Sequence, residues 1–506
     1  MNTVKTLALK FLLLAVIIVA LNYVYIYTFF EHDLQTHSDV INLVRSAVDE
    51  KNEIMYIGES SNTTFRVKDH DKREISSFIG DFFPTKKVSA ITKPAAHAGI
   101  YYDLLNNIPE NSTTKTVIVT LNLRSFNAGW IFSALETSLQ KSTVLLKDSP
   151  PLFKRFLLSF KYYDIKTEAE RDNQIKDKWL HDTLKFPFPF AYPNVVAWDH
   201  AMATAGIKNA DGNLNQPLTE LACHYIKTYA FQIDTLTNPR IKDFDRIVEL
   251  SKKRNWNLVF NLLAENTQMA DSLVGKDLMY LIRQNEKILV ERYSKGNSIV
   301  VSSLDKVPNE EFIDQNWTTE HYAEKGRKII AKNVAFALKK LYPNDFKEPD
   351  ARWNSTSTTV KSNHFFNDCE GSVAWSQMQT LTNEFAFSGK KSSKTDKKGM
   401  YSVTFESPIS QLGDSLKKVN ISFQLFQKDV TDEAALTVDI AGNNIQHHLT
   451  YVSLASLCKE QNKWATVNYT YELPSDFNKG DLIKIFVYNK SKSPVYIDNF
   501  KIDFLK

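Results

Sequence analysis

The chain has 506 residues, 43% hydrophobic and 12% aromatic, with a formal net charge of +4. This is the composition of a folded protein with room for two or three domains, which excludes a disordered chain. No basic block alternates with aromatics, which excludes nucleic acid as a partner. The three cysteines, Cys223, Cys369 and Cys458, are too few for a disulfide framework or a zinc cluster, although Cys369 and Cys458 could pair.

The first element is apolar. From Phe11 to Phe30 no charge intervenes, long enough for one membrane span. Lys5 and Lys10 precede the run, and Glu31 and Asp33 follow it. The positive-inside rule then predicts a cytoplasmic N-terminus, an anchor over residues 1–30 and an extracytoplasmic remainder. A cleaved signal peptide is the alternative, but "NYVYIYTFF" offers no small-residue cleavage site.

Residues 31–50 read as an amphipathic connector helix. Five apolar runs of strand type follow: "IMYIG" (54–58), "KVSAIT" (87–92), "TVIVTLNL" (116–123), "NLVFNLL" (257–263) and "SIVVSSL" (298–304). Helical patterns separate them, including "FDRIVELSKKR" (244–254) and "LMYLIRQNEKILVERY" (278–293), and the last is "AEKGRKIIAKNVAFALKKLY" (323–342). Strands alternating with helices predict an α/β domain over residues 31–345, with a parallel sheet and helices on both faces. Residues 131–240 break the rhythm with helices and the aromatic stretch "KFPFPFAYP". They are too long for a plain connection and read as a helical insertion.

The composition changes at the linker "PNDFKEPDARWNSTSTT" (343–359). Beyond it, alternating runs such as "KVNISFQLFQ", "ALTVDIAG" and "VYIDNFKIDFL" predict an all-β antiparallel sandwich over residues 346–506.

In an open α/β sheet, ligands bind at the carboxyl ends of the strands. Gly58-Glu59-Ser60 follows the first strand, and a loop with His97 and Gly99 the second. Asn122 and Arg124 follow the third, Glu265 the fourth, and the segment 305–322 with Asp314, Glu320 and His321 the fifth. Together they offer a nucleophile, oxyanion donors and a base, the requirements of acyl transfer.

In this order, over residues 51–340, the pieces resemble the SGNH (GDSL-like) hydrolase superfamily. Gly58-Glu59-Ser60 stands where that family has Gly-Asp-Ser. Gly99 fits its second-block glycine, and Asn122 in "TLNLRSF" its third-block asparagine. The resemblance implies a flavodoxin-like three-layer fold with no cofactor or metal. It implies Ser60 as nucleophile rather than Ser61, His321 as base, and Gly99 and Asn122 in the oxyanion hole. The family usually has aspartate three residues before the histidine, where this chain has Thr318. Asp314 is then the preferred orienter of His321, with Glu320 as the alternative. With Thr318 as a helix N-cap, Glu320 would serve the macrodipole, and Trp317 and Tyr322 would form a hydrophobic staple.

The nearest branch is the membrane-anchored extracytoplasmic group associated with O-acylation or D-alanylation of surface polymers. It implies an esterase or O-acyltransferase acting on a surface glycan, with a multi-span membrane O-acyltransferase as partner in the second case. The C-terminal sandwich is similar to jelly-roll carbohydrate-binding modules through "SPVYIDNFKIDF" (493–504). Trp375, Trp464 and Tyr451 are its candidate sugar-stacking residues, or else its core. The rival reading is a non-catalytic glycan-binding or scaffold protein.

Overall fold

The computed structural model describes residues 2–37, 44, 45, 48, 52–69, 71–133, 135, 151–160, 166–349, 353, 363–370, 375–413, 415–442, 445–478 and 480–506. Much of the connector 38–50 and of the linker 350–362 lies outside these. The helix Asn2–Thr28 is long and apolar enough to cross a membrane, a length and composition that signal sequences share. A short helix, Phe30–His37, follows it. The rest divides into two compact units, one of residues 1–64 with 74–349, the other of residues 65–73 with 350–506. The excursion of residues 65–73 was not anticipated from sequence.

The first unit is built on five parallel strands: β1 (Ile54–Gly58), β2 (Val88–Thr92), β3 (Thr116–Leu121), β4 (Asn257–Leu262) and β5 (Ser298–Ser302). Their order is β2-β1-β3-β4-β5, that of an open doubly wound sheet whose order reverses beside β1. Each lies inside one of the five apolar runs, because strands buried on both faces need apolar residues at every position. The pleat sends alternate residues to opposite faces. Met55 and Ile57, Val117 and Val119, and Leu258 and Phe260 join one core with Leu104, Phe244 and Leu281. On the other face the helices Ile75–Gly80 and Glu324–Leu338 pack together. The segment 131–240 carries the helices Glu168–His181, Val195–Ala205 and Gln216–Tyr229, with non-helical stretches at 182–194 and 206–215 between them.

The second unit is antiparallel. Its strands are β6 (His364–Asn367), β7 (Leu381–Thr382), β8 (Ser392–Thr395), β9 (Phe405–Pro408), β10 (Lys418–Gln427), β11 (Ala434–Gly442), β12 (Ile445–Ser453), β13 (Trp464–Glu472), β14 (Leu482–Asn489) and β15 (Val495–Leu505). One sheet runs β13-β10-β15-β8-β7 with β6 on β15, the other β12-β11-β14-β9. Alternate residues such as Val419, Ile421, Leu436, Val438, Ile483 and Ile485 fill a shared jelly-roll-like core. Trp375 is buried in that core at 5% exposure, packed on Phe405 and Phe500, so it is no sugar platform. Trp464 packs on Phe387 and Phe426, while Tyr451 is 57% exposed. All three cysteines are free and buried, so Cys369 and Cys458 do not pair.

Candidate active site

β1 ends at Gly58 for want of space. A Cβ there would sit 2.6 Å from the Tyr56 ring and 3.0 Å from Thr120 Oγ1. Tyr56 is fixed in turn, because its hydroxyl accepts from Thr120 Oγ1 and Asn261 Nδ2, each at 3.2 Å. Burial pushes that phenol up to about 12. The chain then turns into a short helix, Ser60–Thr63, capped by Glu59, whose side chain accepts from the Ser61 amide at 3.2 Å. Asn62 locks this turn from behind. Its Nδ2 donates to Thr92 Oγ1 at 2.9 Å and its Oδ1 accepts the Ser76 amide at 2.9 Å. Ser61 is fully buried; Ser60, beside it, lines a cavity of about 200 Å³.

His321 meets Ser60 across that cavity, with Nε2 3.0 Å from Ser60 Oγ. The loop carrying His321 folds back on itself through an antiparallel bridge between Phe312 and Tyr322, and Ile313 N–H donates to the His321 carbonyl at 2.9 Å. The fold-back sets Asp314 beside His321, seven residues away in sequence. Asp314 Oδ2 lies 2.7 Å from His321 Nδ1 and also accepts from Thr319 Oγ1. Arg327 ties the two halves of the site together, donating from Nη1 to the carbonyls of Thr64 at 3.2 Å and Tyr322 at 2.8 Å. Ser60, His321 and Asp314 are thus brought into one hydrogen-bonded line.

Several expectations about the loop need correction. The final helix starts at Glu324 with Ala323 as its N-cap, so Thr318 caps nothing and Glu320 is not in a first turn. Trp317 and Tyr322 form no staple: Tyr322 packs on Phe312, and Trp317 lies over the His224 ring. Glu320 is fully buried and ion-paired with Arg124, which also donates from Nη1 to the Thr318 carbonyl at 2.7 Å. Burial raises the Glu320 carboxyl, with Arg124 opposing. Glu265 is buried close by, accepts from the Tyr229 hydroxyl, and is pushed well above the usual carboxylate range by burial and by Glu320. Burial disfavours the charged form of both carboxyls, and the Arg124 guanidinium opposes it in each.

Asn122 and Gly99 part company. Asn122 lines the cavity, its Oδ1 is buried without a hydrogen bond, and among the described residues its Nδ2 has no protein acceptor. A buried amide oxygen without a donor is costly unless a ligand or water completes it. Gly99 does not line the cavity. Its N–H donates to His97 Nδ1 at 3.1 Å inside the cap of the helix Ala98–Asn106, and a Cβ there would meet Asp243 Oδ2 at 2.9 Å. It is a packing glycine with a committed amide and cannot serve the oxyanion. Ala95 does line the cavity, with a left-handed φ of 58° that an L side chain rarely adopts. Among the described residues, neither the Ser60 nor the Ala95 amide donates to a protein acceptor.

Sequence reasoning missed Ala95, because only a glycine signals a positive φ in a sequence. It also missed the second acceptor beside the Ser60 hydroxyl. Ser60 Oγ lies 2.9 Å from Glu59 Oε2, so one hydroxyl proton faces both Glu59 and His321. Arg240 Nη1 lies 2.8 Å from His97 Nδ1, which already accepts from Gly99; the His97 proton is therefore on Nε2.

No protein-family profile matches the chain, and no curated protein matches it. Solved structures that match include the CBM22-1 xylan-binding domain of Paenibacillus barcinonensis Xyn10C, 17% identical, covering 25% of this chain and 80% of that one at a TM-score of 0.18. Another is the C-terminal family 22 carbohydrate-binding module of Clostridium thermocellum Xyn10B, 14% identical, covering 31% of this chain and 96% of that one at a TM-score of 0.20. A third is described as Family 16 Carbohydrate Binding Module-2, 12% identical, covering 24% of this chain and 82% of that one at a TM-score of 0.18. Overlaps this small carry no argument about function.

Proposed function

We propose that the protein is an SGNH-type serine esterase or O-acyltransferase acting on acyl esters, acetyl first among them, of an extracytoplasmic glycan. The observation that carries this reading is the line Ser60 Oγ, His321 Nε2 at 3.0 Å, and Asp314 at 2.7 Å from Nδ1, beside an unengaged Asn122. His321 takes the Ser60 proton as Oγ attacks the acyl carbonyl. Asp314 holds the ring in the tautomer that leaves Nε2 free to accept. Asn122 Nδ2, with the Ser60 and Ala95 amides, holds the oxyanion. The alcohol leaves with the proton from His321, and the acyl group stays on Ser60. Water then releases it as acid, or a sugar hydroxyl takes it as a new ester; water exclusion decides which.

In this reading the helix Asn2–Thr28 is a membrane anchor, and its charge flanks support an extracytoplasmic remainder. A single span cannot carry an acyl donor across a membrane, so transfer requires a multi-span membrane O-acyltransferase partner. A second reading, a non-catalytic glycan-binding scaffold, draws support from Glu59, which competes with His321 for the Ser60 hydroxyl. Reaction of the full-length protein with a fluorophosphonate distinguishes the two. The expected result is a covalent adduct on Ser60 that is absent in His321→Ala. No adduct in folded protein, with surface acylation intact in a Ser60→Ala strain, leaves only the scaffold.

A further inference from the structure

The cavity has a polar floor and an aromatic mouth. Ser60, His321 and Asn122 carry the chemistry. Trp317 stands on the same loop as Asp314 and His321, lines the cavity, and is 53% exposed. A single exposed aromatic on a surface means little. This one is held in place beside the reacting atoms. One side of its indole lies on the His224 ring, with centroids 3.6 Å apart and planes 35° from parallel. Its neighbour Thr318 is pinned twice, by Arg124 Nη1 on its carbonyl at 2.7 Å and by Thr228 Oγ1 on its own hydroxyl at 3.2 Å. Burial, then the charges of Lys227 and Arg124, pull the His224 imidazole down to about 4. The ring under Trp317 is therefore neutral at physiological pH. The second tryptophan of the cavity, Trp130, is backed in the same way, by the Arg124 guanidinium 4.6 Å from its ring centroid.

Size divides the substrate. At about 200 Å³ the cavity is smaller than the roughly 300–1,000 Å³ that take a drug-sized ligand whole. That volume suits a short acyl group better than a fatty chain. The alcohol part of the ester stays at the mouth, where it meets an indole. A pyranose suits that position, because its C–H face is apolar and its rim is hydroxylated.

We propose that Trp317 is a sugar-stacking specificity residue: the pyranose bearing the ester packs on its open indole side while the acyl group reaches Ser60. The proposal rests on the ester-cleaving reading of the site and names the group that reading leaves outside the cavity. Glucose pentaacetate and ethyl acetate, which share the acyl group and differ in the ring, are the probes, used on full-length protein in detergent. In Trp317→Ala the ratio of kcat/KM for glucose pentaacetate over ethyl acetate is expected to fall by about tenfold, mainly through KM, and Trp317→Phe should recover most of it. Saturation-transfer NMR on Ser60→Ala measures glucose pentaacetate binding without turnover. Binding that weakens about tenfold on adding Trp317→Ala supports the platform even when wild type turns nothing over, an outcome that counts against the ester-cleaving reading alone. No binding to Ser60→Ala, or binding and a substrate ratio indifferent to Trp317 in folded variants, overturns the platform.

Discussion

The two units bury polar side chains for opposite purposes. In the sandwich, several buried polar groups are engaged by backbone. Asp498 accepts the amides of Phe387 at 2.8 Å, Ser388 at 3.0 Å and Asn499 at 2.7 Å. Asn489 Nδ2 donates to the Thr395 and Ser493 carbonyls at 3.0 and 2.9 Å, and Gln427 Nε2 to those of Cys458 and Glu460, each at 3.0 Å. These groups tie loops to strands. At the carboxyl edge of the parallel sheet, side chains point at one another or at nothing. Ser60 has two acceptors for one proton, Asn122 has no protein partner for its amide, and Glu320 pairs with Arg124 while Glu265 is buried close by. Stability alone does not select such an arrangement, since each unsatisfied buried group costs about 1–3 kcal/mol. The contrast is a physical ground for assigning the proposed function to the first unit.

The sharpest break of that contrast is at the nucleophile. Ser60→Ala and His321→Ala should each lower turnover of an acetyl ester by at least about 10⁴-fold, with the melting temperature nearly unchanged. The double variant should be no worse than either single one, because the residues act as a unit. Independent, multiplying losses would mean that the two do not share a step. Next comes Asn122→Ala, expected to cost about 2.7–4 kcal/mol in transition-state stabilisation as a lost oxyanion donor. Its melting temperature should hold or rise slightly, since an unsatisfied amide is removed. A fall in both activity and stability would make Asn122 a structural residue like those of the sandwich. The mirror test is Asp498→Ala, which strands buried amides and should destabilise the sandwich by about 2–3 kcal/mol while leaving ester turnover per folded molecule unchanged.

Much of this arrangement was legible in the sequence, and the failures have physical causes. All five parallel strands lie within apolar runs, since burial on both faces leaves a continuous signal. Ser60 and His321 could be named because both stand at the expected edge and in blocks that carry the family resemblance. Asp314 could be named as a loop acid, but the Phe312–Tyr322 bridge that aims it is a long-range pairing with no local mark. Gly99 was chosen for its residue type, yet its φ is not left-handed, and the strained position is an alanine. Glu320 looked like a helix-dipole acid because "TTEHY" precedes a helical pattern. Its partner Arg124 lies nearly two hundred residues earlier, beyond any periodicity. The excursion 65–73, "FRVKDHDKR", has the composition of a surface loop, and nothing local ties it to the second unit.

The smallest expected effect concerns the Glu265 proton. Burial and the nearby Glu320 raise Glu265 well above its reference value of 4.5. In the unfolded chain that carboxyl loses its proton near its ordinary value, whereas in the folded chain it holds it to higher pH. Between those two values the native state binds more protons, so stability is fully present below the unfolded pKa and falls as pH rises through the folded one. The slope is at most about 1.4 kcal/mol per pH unit for one proton. Glu265→Gln keeps the shape and the neutral form, so it should melt like the wild type near pH 5 and lose less stability on going to pH 9. Tyr229 can still donate to the amide oxygen, which keeps the hydrogen bond that a change to alanine would remove. Thermal melts of both proteins across that range test the idea. Parallel curves would place the retained proton on Glu320, and then Glu320→Gln, not Glu265→Gln, should flatten the alkaline arm.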